Sequence, residues 1–138
     1  MSTVIRAEIA KSNKYWISKH RYHELRHFCL QYPEWKRICK ELSEYGIPIS
    51  SPTRVSQTNT INDPTARIAI TNSYYSKRMK LIEDTAKLAD KCLYEYIIKG
   101  VTEGRSYVYL KSRLDIPCSR DLYYDRYRRF FWLLDKER

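Results

Sequence analysis

Residues 106–124 read Ser-Tyr-Val-Tyr-Leu-Lys-Ser-Arg-Leu-Asp-Ile-Pro-Cys-Ser-Arg-Asp-Leu-Tyr-Tyr, and the fold turns on how they pair. A short helix is expected from about Ser106 to Leu114, with Tyr107, Leu110 and Leu114 on one face. Asp115-Ile116-Pro117-Cys118 is a tight connection in which Ile116 is placed to plug the corner. Ser119 then caps a second helix over residues 119–136. A short helix, a corner with one apolar plug and a capped basic helix follow the pattern of a helix-turn-helix. Pro117 stands in the turn where Gly is commoner.

At 100° per residue the second helix has two faces. Tyr123, Tyr127, Phe130, Phe131 and Leu134 form one, flanked by Leu122 and Leu133. Asp121, Tyr124, Asp125, Arg128, Arg129 and Trp132 form the other, with Arg120 at the exposed start. The aromatic face is expected to pack inward. The arginine face is expected to enter the major groove of duplex DNA.

Groove-reading helices meet base edges with their N-terminal half, and flanking cations meet phosphates. The base-reading candidates are therefore Arg120, Tyr124 and Arg128. The phosphate candidates are Ser119, Arg105, Lys111, Arg113, Arg126 and Arg129. An arginine that reaches O6 and N7 of guanine adds roughly 1–3 kcal/mol of discrimination. Asp121 and Asp125 repel phosphate, so they face a base amino group, pair with an arginine or point away.

Working back along the chain, Asp63-Pro64-Thr65 is a helix start, with Asp as cap and Pro at the first helical position. The pattern predicts one long central helix over 64–99, closed at Gly100. Tyr75, Met79, Ile82, Ala86, Ala89, Leu93 and Ile97 recur at nearly heptad spacing along it. This stripe suits a helix that crosses the domain, or a homodimer formed through the 64–99 helix. Thr71-Asn72-Ser73 are weak helix formers and mark its weakest point.

Residues 46–62 are rich in Ser, Thr, Asn and Pro and read as a polar linker or loop. Before it, residues 1–45 form an N-terminal helical segment, loosely ordered over 1–13. Ser18 caps a first helix to Gln31 with Tyr22, Leu25 and Cys29 apolar. Tyr32-Pro33 breaks the chain, and a second helix from Glu34 to Tyr45 turns Trp35, Ile38, Cys39 and Leu42 inward before Gly46. The two make an N-terminal helical hairpin. The expected fold class is all-α: a small helical domain with this hairpin, one long central helix and a C-terminal helix-turn-helix, the last two filling residues 63–138.

Composition agrees. The chain has 138 residues, a net charge of +10, 13 Tyr and only 3 Gly. Scarce glycine disfavours a turn-rich β fold, and the basic excess favours a polyanionic partner. The four cysteines form no CxxC pair, so a zinc site is not expected. The polar N-terminus lacks an apolar run suited to a signal peptide or a membrane span, which points to a cytoplasmic protein without membrane contact.

Three stretches resemble phage late-transcription regulators of the ArpU/RinA type. They are Tyr32-Pro33-Glu34, Asp63-Pro64-Thr65-Ala66, and Ile116 through Tyr124 running into Arg128-Arg129-Phe130-Phe131-Trp132-Leu133-Leu134. The resemblance implies a phage or prophage DNA-binding protein of the bacterial host cell. Its helix-turn-helix would be similar to the promoter-reading region of sigma factors, with double-stranded DNA and host RNA polymerase as partners. Only the helix-turn-helix positions named above carry over.

His20, His23 and His27 share helical spacing, but a metal needs a further ligand, and Cys29 faces elsewhere. No Gly-rich phosphate loop, GxSxG or HExxH occurs, and Glu83 and Asp84 are adjacent and point apart. Neither a cofactor nor an enzymatic activity is expected. Two other functions fit the same layout: a DNA-packaging oligomer of the small-terminase kind, and a basic inhibitor module that binds an acidic protein. A large closed ring in solution marks the former, and a lack of sequence-dependent DNA affinity marks the latter.

Overall fold

The computed structural model describes residues 12–45 and 64–138. Among them lie six helices and no strand: α1 (Lys19–Leu30), α2 (Tyr32–Tyr45), α3 (Pro64–Ala89), α4 (Tyr94–Glu103), α5 (Tyr107–Leu114) and α6 (Arg120–Glu137). The all-α expectation holds. The start of α3 at Pro64 follows from a ring that fixes φ and lacks an N–H that the first turn would leave unpaired. The expected cap at Asp63, the close at Gly46 and the linker over 46–62 lie outside the described residues, as does the loose segment apart from its last two residues.

The described chain divides into two units. One holds residues 32–80, with α2 and the first part of α3. Trp35 and Leu42 are its buried side chains. Trp35 stacks near Tyr75 at 6.5 Å, and the Cys39 thiol lies 3.9 Å from the Asn72 carbonyl. On the outer side of α2, Arg37 pairs with Glu34 and, at 2.8 Å, with Glu41, one turn away in each direction.

The other unit holds α1, the end of α3 and α4 to α6. Here α1 packs on α4 and α6, α4 packs on α6, and α5 packs on α4. The two helices of the expected N-terminal hairpin fall in different units, and the apolar stripe of α1 packs on α4 and α6. Tyr22, Leu25, Phe28 and Cys29 of α1 meet Tyr123, Tyr127, Phe130, Phe131 and Leu134 of α6 in this core. Tyr22 and Tyr127 share a hydrogen bond between hydroxyls at 2.8 Å, and Tyr22 meets the Phe131 ring edge-on at 5.1 Å. A hydroxyl pair of this kind lets two buried phenols satisfy each other. Burial, reinforced by the neighbouring Tyr22, pushes the Tyr127 phenol well above its ordinary range. Burial likewise pushes the Cys29 thiol up, so it is a packed sulfur and not a nucleophile.

The long central helix is also corrected. It runs unbroken through Thr71-Asn72-Ser73 and stops at Ala89, ten residues before the expected end. Asp90 causes the stop: its carboxylate accepts the backbone N–H groups of Cys92 at 2.8 Å and Leu93 at 2.9 Å. A side chain that satisfies two amides offers the backbone an alternative to the helix. Three residues with weak propensity cost only tenths of a kcal/mol each and do not break a packed helix. The chain restarts as α4, passes through Gly100 and ends at Gly104, whose φ of 68° is left-handed. Gly100 is needed for another reason: a Cβ there would collide with the Tyr123 hydroxyl of α6. Of the expected stripe, Ile82, Ala86, Ala89, Leu93 and Ile97 are buried within this unit, while Tyr75 and Met79 are half-buried.

Candidate functional site

Two capping serines and one plug build the C-terminal pair of helices. Ser106 accepts the Tyr109 N–H at 3.3 Å and starts α5. Asp115 ends it in the left-handed region, with φ 55° and ψ 49°. A short acidic side chain tolerates that conformation better than most, and here it does the work glycine often does in such turns. Ile116 follows with no exposed surface, and its N–H returns to the Leu110 carbonyl at 3.2 Å. The Tyr107 hydroxyl donates to the Cys118 carbonyl at 2.6 Å and ties α5 to the far side of the corner. Ser119 then accepts the Leu122 N–H at 3.2 Å and starts α6. Ser18 plays the same part for α1, accepting the Arg21 N–H at 3.3 Å.

The expected open arginine face of α6 is largely closed. From Tyr123 to Asp135 every residue of α6 is buried or half-buried, and before its last turn only Arg120, Asp121 and Leu122 are exposed. The closure comes from both flanks. On one, Tyr15 stacks on Trp132 at 5.5 Å and its hydroxyl accepts from Arg129 at 3.3 Å. Nearby, Arg21 of α1 bonds Asp135 at 2.6 Å, which holds its guanidinium pKa above the usual value, chiefly through that hydrogen bond. On the other flank, Arg126 bonds Asp90 at 3.0 Å and Asp125 at 2.9 Å.

These contacts correct several assigned roles. Tyr124 is 7% exposed, lies against Tyr123 and Tyr127, and accepts the Tyr107 N–H at 3.2 Å. It belongs to the core and not to base reading. Arg128 is half-buried, and its Nε lies buried with no hydrogen-bond partner among the described residues. Arg126 is committed to two carboxylates and joins α6 to the turn after α3. Arg129 is held by Tyr15. Arg105 bonds Glu103 at 3.3 Å and lies 4.2 Å over the Tyr109 ring.

Five assigned residues stay exposed, and Arg105 is one of them despite its bond to Glu103. Lys111 and Arg113 are exposed on α5, Ser119 is exposed at the cap, and Arg120 is exposed with its guanidinium 5.7 Å from the Tyr124 ring. Sequence reasoning missed four participants. Leu122 looked like a flank of the buried face but is 40% exposed. Asp90 looked like one more position in a helix, although Asp is a frequent capping residue. Tyr15 and Ile17 precede the first helix and carry no periodicity, yet both are buried. Elsewhere, His23 and His27 have ring centres 6.5 Å apart, and no group of three metal-ligating side chains is assembled among the described residues.

Comparison of the chain with protein-family models, with curated proteins and with solved structures returned no match. No described helix is long and apolar enough to cross a membrane.

Proposed function

We propose that this protein binds duplex DNA in a sequence-dependent way through a helix-turn-helix formed by α5 and α6. One observation carries the reading: fully buried Ile116 locks the corner between two serine-capped helices, and the first turn of the second is left in solvent with Arg120 on it. In this reading α6 approaches the major groove end-on. Arg120 meets a guanine edge, while Lys111 and Arg113 of α5 and the Ser119 hydroxyl hold the flanking phosphates. The net charge of +10 draws the protein to DNA before any base is read. Transcriptional regulation in a phage or prophage setting, next to host RNA polymerase, is the role that the resemblance to ArpU/RinA-type regulators supports.

Site selection from random duplex DNA at physiological salt tests the reading. Arg120→Ala is expected to relax selectivity at one base position by roughly tenfold or more, since a bidentate guanine contact is worth roughly 1–3 kcal/mol. Lys111→Ala and Arg113→Ala are expected to weaken all sequences alike, each lowering the slope of log affinity against log salt by about one. Absence of any sequence preference in the unmodified protein overturns the proposal.

A further inference from the structure

We infer that Leu122 is a specificity-determining residue that reads the C5-methyl group of thymine, an assignment that rests on the DNA reading above. Among the exposed large apolar side chains of this unit, Val108, Leu114 and Leu122 all lie between the start of α5 and the first turn of α6. Leu122 alone stands on the helix that carries Arg120. Its backbone N–H is already taken by the Ser119 hydroxyl at 3.2 Å, so only its side chain is free to meet a ligand. Exposed Asp121 beside it repels phosphate, which directs this turn toward base edges and away from the backbone. The major groove offers an aliphatic side chain one apolar group, the thymine methyl. Arg120 and Leu122 together therefore select a guanine and a thymine within one short site. With α6 buried or half-buried from Tyr123 to Asp135, its exposed residues before the last turn are Arg120, Asp121 and Leu122.

The test starts from the site selected by the unmodified protein. Each thymine in it is replaced in turn by deoxyuridine, which removes the methyl group and keeps every hydrogen-bonding atom. At one position the affinity is expected to fall on the order of fourfold, the effect of one buried methyl group. Leu122→Ala is expected to bind the thymine and deoxyuridine versions of that site equally. A selected site that is indifferent to deoxyuridine everywhere overturns the thymine assignment and leaves the DNA reading standing. So does a Leu122→Ala protein that still prefers thymine at that position. Failure to select any site sinks the DNA reading itself. The deoxyuridine series uses the unmodified chain, so its result does not depend on how the variant folds.

Discussion

The two ends of α6 differ more than its sequence pattern does. Both carry arginines beside aromatic residues. In the body of the helix, Arg126 and Arg129 are drawn into contacts with Asp90, Asp125 and Tyr15, and Trp132 lies against the Tyr15 ring. In the first turn, Arg120, Asp121 and Leu122 face solvent. An arginine-rich helical face is therefore not open merely because it is charged. Long cationic side chains lie along apolar surface and pair with whatever acid the tertiary fold brings near. The difference divides α6 into a structural body and a candidate reading end.

The comparison can be broken by substitutions on either side of that division. Phe131→Ala is expected to have the largest effect. Phe131 is fully buried and meets Tyr22, Tyr127 and Phe130, so its loss leaves a cavity between α1 and α6 costing about 3–5 kcal/mol. Chemical denaturation of the whole chain measures it; a cost below about 1 kcal/mol would mean that the body of α6 is not the core.

Gly100→Ala comes next. The new Cβ collides with the Tyr123 hydroxyl, on a side chain with no exposed surface, and overpacking of this kind costs about 1–3 kcal/mol. That hydroxyl has no hydrogen-bond partner among the described residues, and burial pushes its pKa far up. Tyr123→Phe alone is therefore expected to be neutral or stabilising, and the double variant should recover most of the loss. Double-variant stability equal to the sum of the singles would show that the two groups do not touch.

The smallest effects belong to the open end. Arg120→Ala and Leu122→Ala are expected to change stability by less than about 0.5 kcal/mol, because neither side chain is buried. A loss of several kcal/mol from either would place the first turn in the structural body and remove the contrast between the two ends.

Much of the fold was legible from local signals. Ser18 and Ser119 cap the helices they were expected to cap, because a cap needs one hydroxyl and amides within three residues. Ile116 was legible as a plug because a lone apolar residue in a tight polar turn has one place to go. The site was less legible. Tyr124 and Leu122 exchanged roles between sequence and structure. Helical phase sorts a residue into a face, but the width of the buried face depends on how many neighbours pack around the helix. Here α1 and α4 both pack on α6, and the residues before α1 add to them. Arg126 and Arg129 were assigned to phosphate because their partners lie 36 and 114 residues away in the chain.

By itself the amino-acid sequence determined the all-helical class, most helix starts, the buried plug and the aromatic side of α6. These follow from backbone hydrogen bonding and from hydrophobic periodicity, both of which act over a few residues. Only the tertiary structure decided that α1 joins the C-terminal helices and that α6 is buried or half-buried from Tyr123 to Asp135. Those outcomes depend on which distant surfaces meet, and burial and charge pairing across such surfaces have no period that a sequence can display.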